Sequence, residues 1–368
     1  MIRISNIQDG TITTDGGVCI QEVVESRFHV VKGDLLIALS GATTGKMGIY
    51  DKENDAMLNQ RVGNLRVISK TYFLPEYRNL FMESQTATIL EQAWGGAQPN
   101  ISPNTIIGFD ILLPPYAEQC RIVSKANELL ALVSNIEFAQ DQIETRADVI
   151  KTKVLDLAIH GKLVPQDPSE EPAIELLKRI NPAFKPSHNL HYEGKLPNGW
   201  CFSTIGDLFQ HNTGKALNGK DQAGEELRYI TTSNLYWDRF DLNGVRTMPF
   251  TEAEKEKCRA TKGDLLVCEG GDIGRAAIWP YDFDVMIQNH IHRLRPREDI
   301  SVRFYYYIFL LYKQMGLIGG KGIAILGLSS RELDKMVVPV PPVPEQHRIV
   351  TVIENLFAQT DALTSNLS

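Results

Sequence analysis

Ser40-Gly41-Ala42-Thr43-Thr44-Gly45-Lys46-Met47 carries the glycines and lysine of a phosphate-binding loop. That chemistry needs backbone amides around the phosphates, a lysine at their end and a Ser or Thr hydroxyl on magnesium. Here the first glycine position is Ser40 and the hydroxyl position is Met47. A second occurrence, Gly270-Gly271-Asp272-Ile273-Gly274-Arg275, is shorter and ends in arginine, so a nucleotide cradle does not survive. Both occurrences keep a glycine turn followed by a cation, Lys46 or Arg275, which suits a backbone approaching a phosphate or a base edge. Leu113-Pro114-Pro115-Tyr116 has the outline of the motif with which amino-methyltransferases hold a target amine. The residue that would accept the amine's hydrogen bonds is Leu113, and the second occurrence reads Val340-Pro341-Pro342-Val343. With no G-x-G loop after a strand for S-adenosylmethionine, the chain is not expected to methylate anything by itself. His290-Ile291-His292 has metal-like spacing, but its counterpart is Arg61-Val62-Gly63 and no third ligand is adjacent. No nucleophile, base or metal constellation recurs in both halves, which points to binding rather than catalysis.

The polar residues that do recur at matching places are of types that read nucleic acid. They are Asn6 and Asn234, Lys46 and Arg275, Gln60 and Asn289, and Arg61 and His290. Lys215 and Lys220 add a basic loop in the second half. In a major groove Arg or Lys suits guanine and Asn or Gln suits adenine, each good bidentate pair being worth about 1–3 kcal/mol. The types differ between the halves, as two half-sites of different sequence would require. Each of these residues is also of a type that serves in turns and on surfaces.

The elements that would position them are stated twice, 227 to 230 positions apart. Lys32-Gly33-Asp34-Leu35-Leu36 returns as Lys262-Gly263-Asp264-Leu265-Leu266, Ser5-Asn6-Ile7 as Ser233-Asn234-Leu235, and Glu118-Gln119-Cys120-Arg121-Ile122-Val123 as Glu345-Gln346-His347-Arg348-Ile349-Val350. Solenoid periods run to about 20–50 residues, so a repeat this long is a duplicated domain. Within each copy short β-rich runs (35–39 and 62–68; 265–267 and 287–294) alternate with glycine turns, and one helix follows, over 75–93 and 302–315. The aromatics Phe304, Tyr305, Tyr306 and Tyr307 are expected mostly in the core. Proline-bearing strands, 111–115 and 338–342, close each copy and lead into a long helix.

That helix is the firmest expectation. Steps of four and three from Ile122 give Ile122, Ala126, Leu129, Val133, Ile136, Gln140, Ile143, Ala147, Ile150, Val154 and Leu157, an a/d register with one polar member. No proline interrupts 118–160, and Gly161 and Pro165 supply a stop, so the helix should run about 65 Å at 1.5 Å per residue. The second copy repeats the seam as Ile349, Ile353, Leu356, Thr360, Leu363 and Leu367. A strict 3.5-residue period over this length exceeds what docking on a globular core requires. The two helices are therefore expected to pair antiparallel, with a domain at each end. The fold class is α+β: two similar mixed α/β domains joined by long helices in an antiparallel coiled coil with a pseudo-two-fold. Boundaries fall at 1–117, 118–160, 161–196 (a polar, Pro-rich connector with a helical piece near 173–180), 197–344 and 345–368.

Composition limits the ligand. With 368 residues and 43% hydrophobic content the chain can bury real cores. No signal pattern and no run of about 18 apolar residues is present, so a cytoplasmic protein without membrane partners is expected. Cys19, Cys120, Cys201, Cys258 and Cys268 form no C-x-x-C pair, which supports neither a disulfide framework nor a zinc knuckle. The net charge is −7, with 18 Lys+Arg against 18 Asp+Glu over 197–342 and 9 against 12 over 1–115. A DNA binder of this composition must take its phosphate attraction from local loops or from partner subunits.

The doubled order of glycine turn, helix, Gly-Gly segment (Gly95-Gly96-Ala97-Gln98-Pro99-Asn100-Ile101-Ser102), Pro-Pro strand and Glu-Gln-x-Arg-Ile-Val opening a long helix resembles the specificity (S) subunit of type I restriction-modification enzymes. The resemblance covers nearly the whole chain. It implies two target-recognition domains, each reading half of a bipartite double-stranded DNA site, with helical spacers between them. It further implies a scaffold for two methyltransferase (M) subunits and for restriction/translocase (R) subunits. No cofactor is implied in this chain, S-adenosylmethionine and ATP belonging to those partners. Aligning Ser5 with Ser233 leaves the first domain without a counterpart to 197–228, and the last helix is short. The second domain is thus expected to be the better-formed reader. The alternative class is a non-catalytic protein-binding adaptor with duplicated domains.

Overall fold

The computed structural model describes residues 1–8, 10–14, 25–54, 56–94, 99–187, 195–216, 223–318 and 328–365. Lys220, Cys19, Leu367 and the segment 95–98 lie outside the described residues. The chain divides into two compact units, 1–138 and 139–368.

In the first unit the strands are β1 (Ile7–Gln8), β2 (Gly10–Ile12), β3 (His29–Val30), β4 (Leu35–Ala38), β5 (Met47–Ile49), β6 (Ala56–Met57) and β7 (Val62–Leu65). They form a sheet in the order β1-β2-β5-β4-β7 and a β3-β6 pair. The Leu-Leu-Ile-Ala run makes β4 because both faces of that strand are covered. Leu36 and Ala38 pack with Ile2, Ile7, Ile12 and Val30 on one side, while Leu35 and Ile37 pack with Met82, Ile89, Ile101 and Ile106 on the other. The latter layer comes from α1 (Pro75–Ser84), α2 (Thr86–Ala93), α3 (Pro103–Ile107) and Ile101 just before α3. The single helix expected over 75–93 is two, meeting at Gln85, which caps the first. The strand expected over 111–115 is not formed. A strand needs a ladder partner, and this segment has none in the described sheets.

α4 (Tyr116–Ile159) follows as one 44-residue helix that passes from the first unit into the second. The second unit contains α5 (Ala173–Ile180), β8 (Cys201–Thr204), α6 (Ile205–Leu208), β9 (Phe209–Thr213), β10 (Glu225–Ile230), β11 (Leu235–Tyr236), β12 (Arg239–Phe240), β13 (Arg246–Phe250) and α7 (Glu252–Cys258). It continues with β14 (Arg259–Ala260), β15 (Leu265–Cys268), β16 (Ala276–Ile278), β17 (Val285–Ile287), β18 (Ile291–Pro296), α8 (Val302–Gln314), α9 (Ser330–Asp334), β19 (Val337–Val340) and α10 (Val343–Ser365). Its sheets are β16-β15-β18-β9, β13-β10-β17-β14, β11-β12 and β19-β8. Strand β15 repeats the logic of β4: Leu265 and Val267 face the cluster holding Phe304, Tyr305, Tyr306 and Tyr307, and Leu266 and Cys268 face the one holding Phe250 and Trp279. The aromatics of α8 are core, as expected.

Within the second unit the end of α4 and α10 run side by side in opposite senses. Lys151 pairs with Asp361 and lies over the Phe357 ring (5.6 Å), whereas further along Gln166 Nε2 donates to Glu345 Oε1 (3.2 Å). Ile349 and Ile353 are buried and Leu356 is half-buried. On α4 the buried positions are Ala147, Val154, Leu155, Ala158 and Ile159, while Ile150 and, on α10, Leu363 are exposed and Ile143 is half-buried. A helix that keeps 3.6 residues per turn drifts about 20° per heptad from a strict seam, which carries Ile150 outward and brings Leu155 in. Ile122, Leu129, Val133 and Ile136 are exposed on the part of α4 that lies in the first unit. Among the described residues no helix is long and apolar enough to cross a membrane.

Candidate nucleic-acid interface

The repeated Lys-Gly-Asp turn is an anchor in both units. Asp34 is buried, takes a bidentate pair from Arg66 (2.8 and 2.6 Å), and accepts from Val31 N–H (2.9 Å) and Asn64 Nδ2 (2.8 Å). Asp264 is buried in the same way, pairs with Arg295 (2.8 and 2.7 Å) and accepts from Thr261 N–H (2.8 Å). Burial alone would raise the Asp34 carboxyl, but Arg66 and the N–H donors outweigh it and hold the group below its ordinary value. The repeated glutamine is a bracket. Gln119 Oε1 accepts from Leu74 N–H (2.8 Å) at the start of α1 while its Nε2 donates to Pro114 O (2.9 Å). Gln346 does the same to Ser301 N–H (3.0 Å) and Pro341 O (2.9 Å). Both are fully buried.

On this frame two turns meet at one end of each main sheet. The glycine turn closes identically in both units: Ala38 N–H donates to Lys46 O and Gly45 N–H to Ala38 O (2.9 Å each), matched by Cys268 to Arg275 O (2.8 Å) and Gly274 to Cys268 O (2.9 Å). Gly45 and Gly274 sit at φ +85° and +84°, which excludes most side chains there. The turn entering β7 or β18 is tied to the same end, Leu39 N–H donating to Arg61 O and Glu269 N–H to His290 O (2.9 Å each). Lys46, Gln60 and Arg61 are exposed at that end of the first unit, with no ion pair to Lys46 or Arg61 among the described residues. In the second unit Arg275 is half-buried, donates to Thr232 O (2.6 Å) and lies over the Tyr236 ring (5.3 Å). His290 is exposed and its Nδ1 stands 3.9 Å from Glu269; Asn289 accepts from Gln288 Nε2.

Asn6 and Asn234 hold their own loops. Arg3 N–H donates to Asn6 Oδ1 and Thr231 N–H to Asn234 Oδ1 (2.9 Å each), and Asn234 Nδ2 donates to Asp241 O (2.9 Å). Lys215 is buried, donating to Pro249 O and Glu254 Oε2 (2.8 Å each). Sequence reasoning missed Tyr236 and the exposed Arg239, which covers the same ring at 4.3 Å, because the first copy offers no matching aromatic pair to mark them. Both His292 nitrogens are engaged, Nδ1 with His211 Nε2 (2.9 Å) and Nε2 with Leu328 O (2.6 Å), and His211 Nδ1 lies 2.7 Å from Asp334. Burial and the neighbouring His211 push His292 down to about 4.

Comparison with known proteins settles the lineage. The family model for the type I restriction modification DNA specificity domain matches residues 6–145 and 197–368. The chain belongs to this family. Its two matches flank a gap that contains the connector, as expected of a duplicated recognition domain. Relatives include the type I restriction enzyme EcoBI specificity subunit of Escherichia coli, 25% identical over all of this chain and 75% of the relative. The StySPI specificity subunit of Salmonella potsdam is 22% identical over all of this chain and 77% of the relative. Two solved structures share the fold across 99% of this chain at 18% identity. A chain from work on complex assembly and conformational transition of the type I R-M system is covered to 85% with a TM-score of 0.70. The HsdS subunit from Thermoanaerobacter tengcongensis is covered to 84% with a TM-score of 0.59.

Proposed function

We propose that this chain is the DNA-recognition subunit of a type I restriction-modification complex and that each unit reads one half of a bipartite site. The observation that carries the reading is the doubled sheet end. The same backbone turns present Lys46, Gln60 and Arg61 in one unit and Arg275, Asn289 and His290 in the other, on identical frames with different side chains. A fixed frame with exchanged polar residues is what two unlike half-sites require, since phosphate contacts position a protein and base contacts specify the site. Tyr236, whose ring has the guanidiniums of both Arg239 and Arg275 against it, adds an aromatic and the exposed Arg239 beside that end.

Reading is the role assigned to this chain; chemistry is assigned to partners. Two M subunits would supply S-adenosylmethionine and methylation, and R subunits the ATP-driven steps, in the cytoplasm where the DNA is. The mildly acidic total charge supports this division, because a subunit that discriminates bases needs little phosphate attraction of its own when partners provide it. The exposed apolar side chains of α4, among them Leu129, Val133 and Ile136, are surface for such partners to cover. The test is binding to duplexes bearing both half-sites, one, or neither, with and without the M subunits. Loss of affinity on scrambling either half supports the reading. Equal affinity for all duplexes under both conditions overturns it.

A further inference from the structure

The β11–β12 hairpin of the second unit is held by the glycine turn and by α8. Toward the glycine turn, Asp238 N–H at the hairpin tip donates to Ala276 O (3.2 Å), the residue after Arg275. Arg275 itself donates to Thr232 O (2.6 Å) just before β11 and lies over the Tyr236 ring (5.3 Å). Toward α8, the Trp237 ring meets Tyr306 edge-on at 6.1 Å. Arg303, also on α8, grips both oxygens of the Asp238 carboxylate, Nη1 on Oδ1 and Nη2 on Oδ2 (2.6 Å for the latter).

Arg303 is fixed on every side of its fork. Its Nε donates to Glu354 Oε1 on α10 (3.0 Å), and its guanidinium carbon lies over the Tyr306 and Tyr307 rings (4.6 and 5.0 Å). A bidentate arginine so placed gives the carboxylate one orientation. Asp238 meets it from φ +56°, the only positive φ at a residue other than glycine among the described residues. Aspartate holds that conformation at a cost that glycine does not have. Aligning Ser5 with Ser233 puts Gly10, at φ +80°, opposite Asp238. The helix starts bracketed by Gln119 and Gln346 put Glu76 opposite Arg303. The first unit thus makes the same turn with the relaxed residue and has no arginine to clamp it. A carboxylate kept at a strained position, where the sister turn has glycine, points to the clamp as its reason.

What the clamp steadies is the next residue. Arg239 is exposed, lies over the Tyr236 ring at 4.3 Å, and has no ion pair among the described residues. With Arg275 it sets two guanidiniums against one ring, and no carboxylate pairs with either among the described residues. The adjacent carboxylate, Asp238, is already taken by Arg303. Two neighbouring positive charges suit a full anionic charge better than a neutral base edge, and a guanidinium laid on a ring keeps its N–H edge for a phosphate. We propose, resting on the DNA-recognition role, that Arg239 is a phosphate contact of the second unit and that Asp238, gripped by Arg303, is the positioning residue that sets it.

The probe is a set of labelled duplexes of unrelated sequence, titrated with the full chain by fluorescence anisotropy over a range of salt. Arg239→Ala is expected to weaken binding about tenfold, equally for every duplex, and to lower the slope of log affinity against log salt by about 1. Asp238→Gly is expected to weaken binding about threefold while leaving the urea midpoint unchanged or higher, since glycine relaxes the turn. In the Arg239→Ala background Asp238→Gly should have no further effect, because it acts through the arginine. Unchanged affinity for Arg239→Ala, or a loss confined to some duplexes, would overturn the phosphate contact. An equal loss from Asp238→Gly in both backgrounds, or a lowered midpoint with unchanged binding, would overturn the positioning role. Failure of the unaltered chain to bind any duplex would overturn the DNA reading together with this contact, an outcome distinct from the others.

Discussion

Asp34 and Asp264 show how a residue supports a candidate site without being part of it. Each buried carboxylate fixes the turn before the central strand and ties it to the strand that carries the candidate reader, so Asp34→Asn removes a charge partner from Arg66 inside a structural hub. Because Arg66 is half-exposed and can rehydrate, a cost of about 2–3 kcal/mol is expected, measured by urea unfolding. The folded Asp34 ionises at lower pH than the unfolded one, so its stabilisation is complete above about pH 4 and disappears as pH falls through the folded value. His292 gives a different window. Its folded value lies near 4 against 6.5 for the free side chain, so the unfolded chain binds the proton first. Stability is expected to fall between pH 6.5 and 4, by up to about 1.4 kcal/mol per unit, and His292→Gln should flatten that slope. At the sheet end, Arg275→Ala and Arg61→Ala should each relax discrimination at a single base position by about 1–3 kcal/mol. A uniform loss across all sequences would assign them to phosphate instead.

At the level of elements, α4 is the feature a sequence shows best and resolves least. Its length and termini follow from an uninterrupted apolar period and from Gly161, whereas the face it buries depends on what lies beside it. α10 packs in one cluster with the stretch from Val154 to Ile159, and that cluster uses Leu155 and Ala158 instead of Ile150 because the helix holds its own pitch. If α4 sets the distance between half-sites, inserting four residues after Gln140 lengthens it by about 6 Å. The preferred gap in a bipartite duplex should then grow by a base pair or two, as read by binding to a series of spacer lengths; an unchanged gap would remove α4 from that role. The missing strand at 111–115 belongs to this scale too. Ile111, Leu112 and Leu113 there are as apolar as Val338 and Val340, but hydrogen-bonding partners, not propensity, make a ladder.

For the whole molecule the net charge of −7 makes a prediction about assembly. The isolated chain should bind DNA weakly with a shallow salt dependence, and the slope of log affinity against log salt should steepen when M subunits join, since each neutralised phosphate adds about 0.9 to it. A steep slope for the chain alone would place the phosphate contacts here. Duplication, the mixed α/β class, the buried aromatics of α8, the long helix and the family resemblance were all legible in the linear order of residues. They rest on periodicity and on repeated motifs, which are local properties that burial merely obeys. Which of the candidate polar residues face solvent was not legible. Asn6, Asn234 and Lys215 look like Lys46 and Arg61 in a string of letters, and only the folded chain turns the first three into loop ties and a buried ion pair while leaving the last two in solvent. The covering of β18 by β9 has the same origin. Whether a strand is covered is a property of what packs against it, and that is decided by residues far away in the chain.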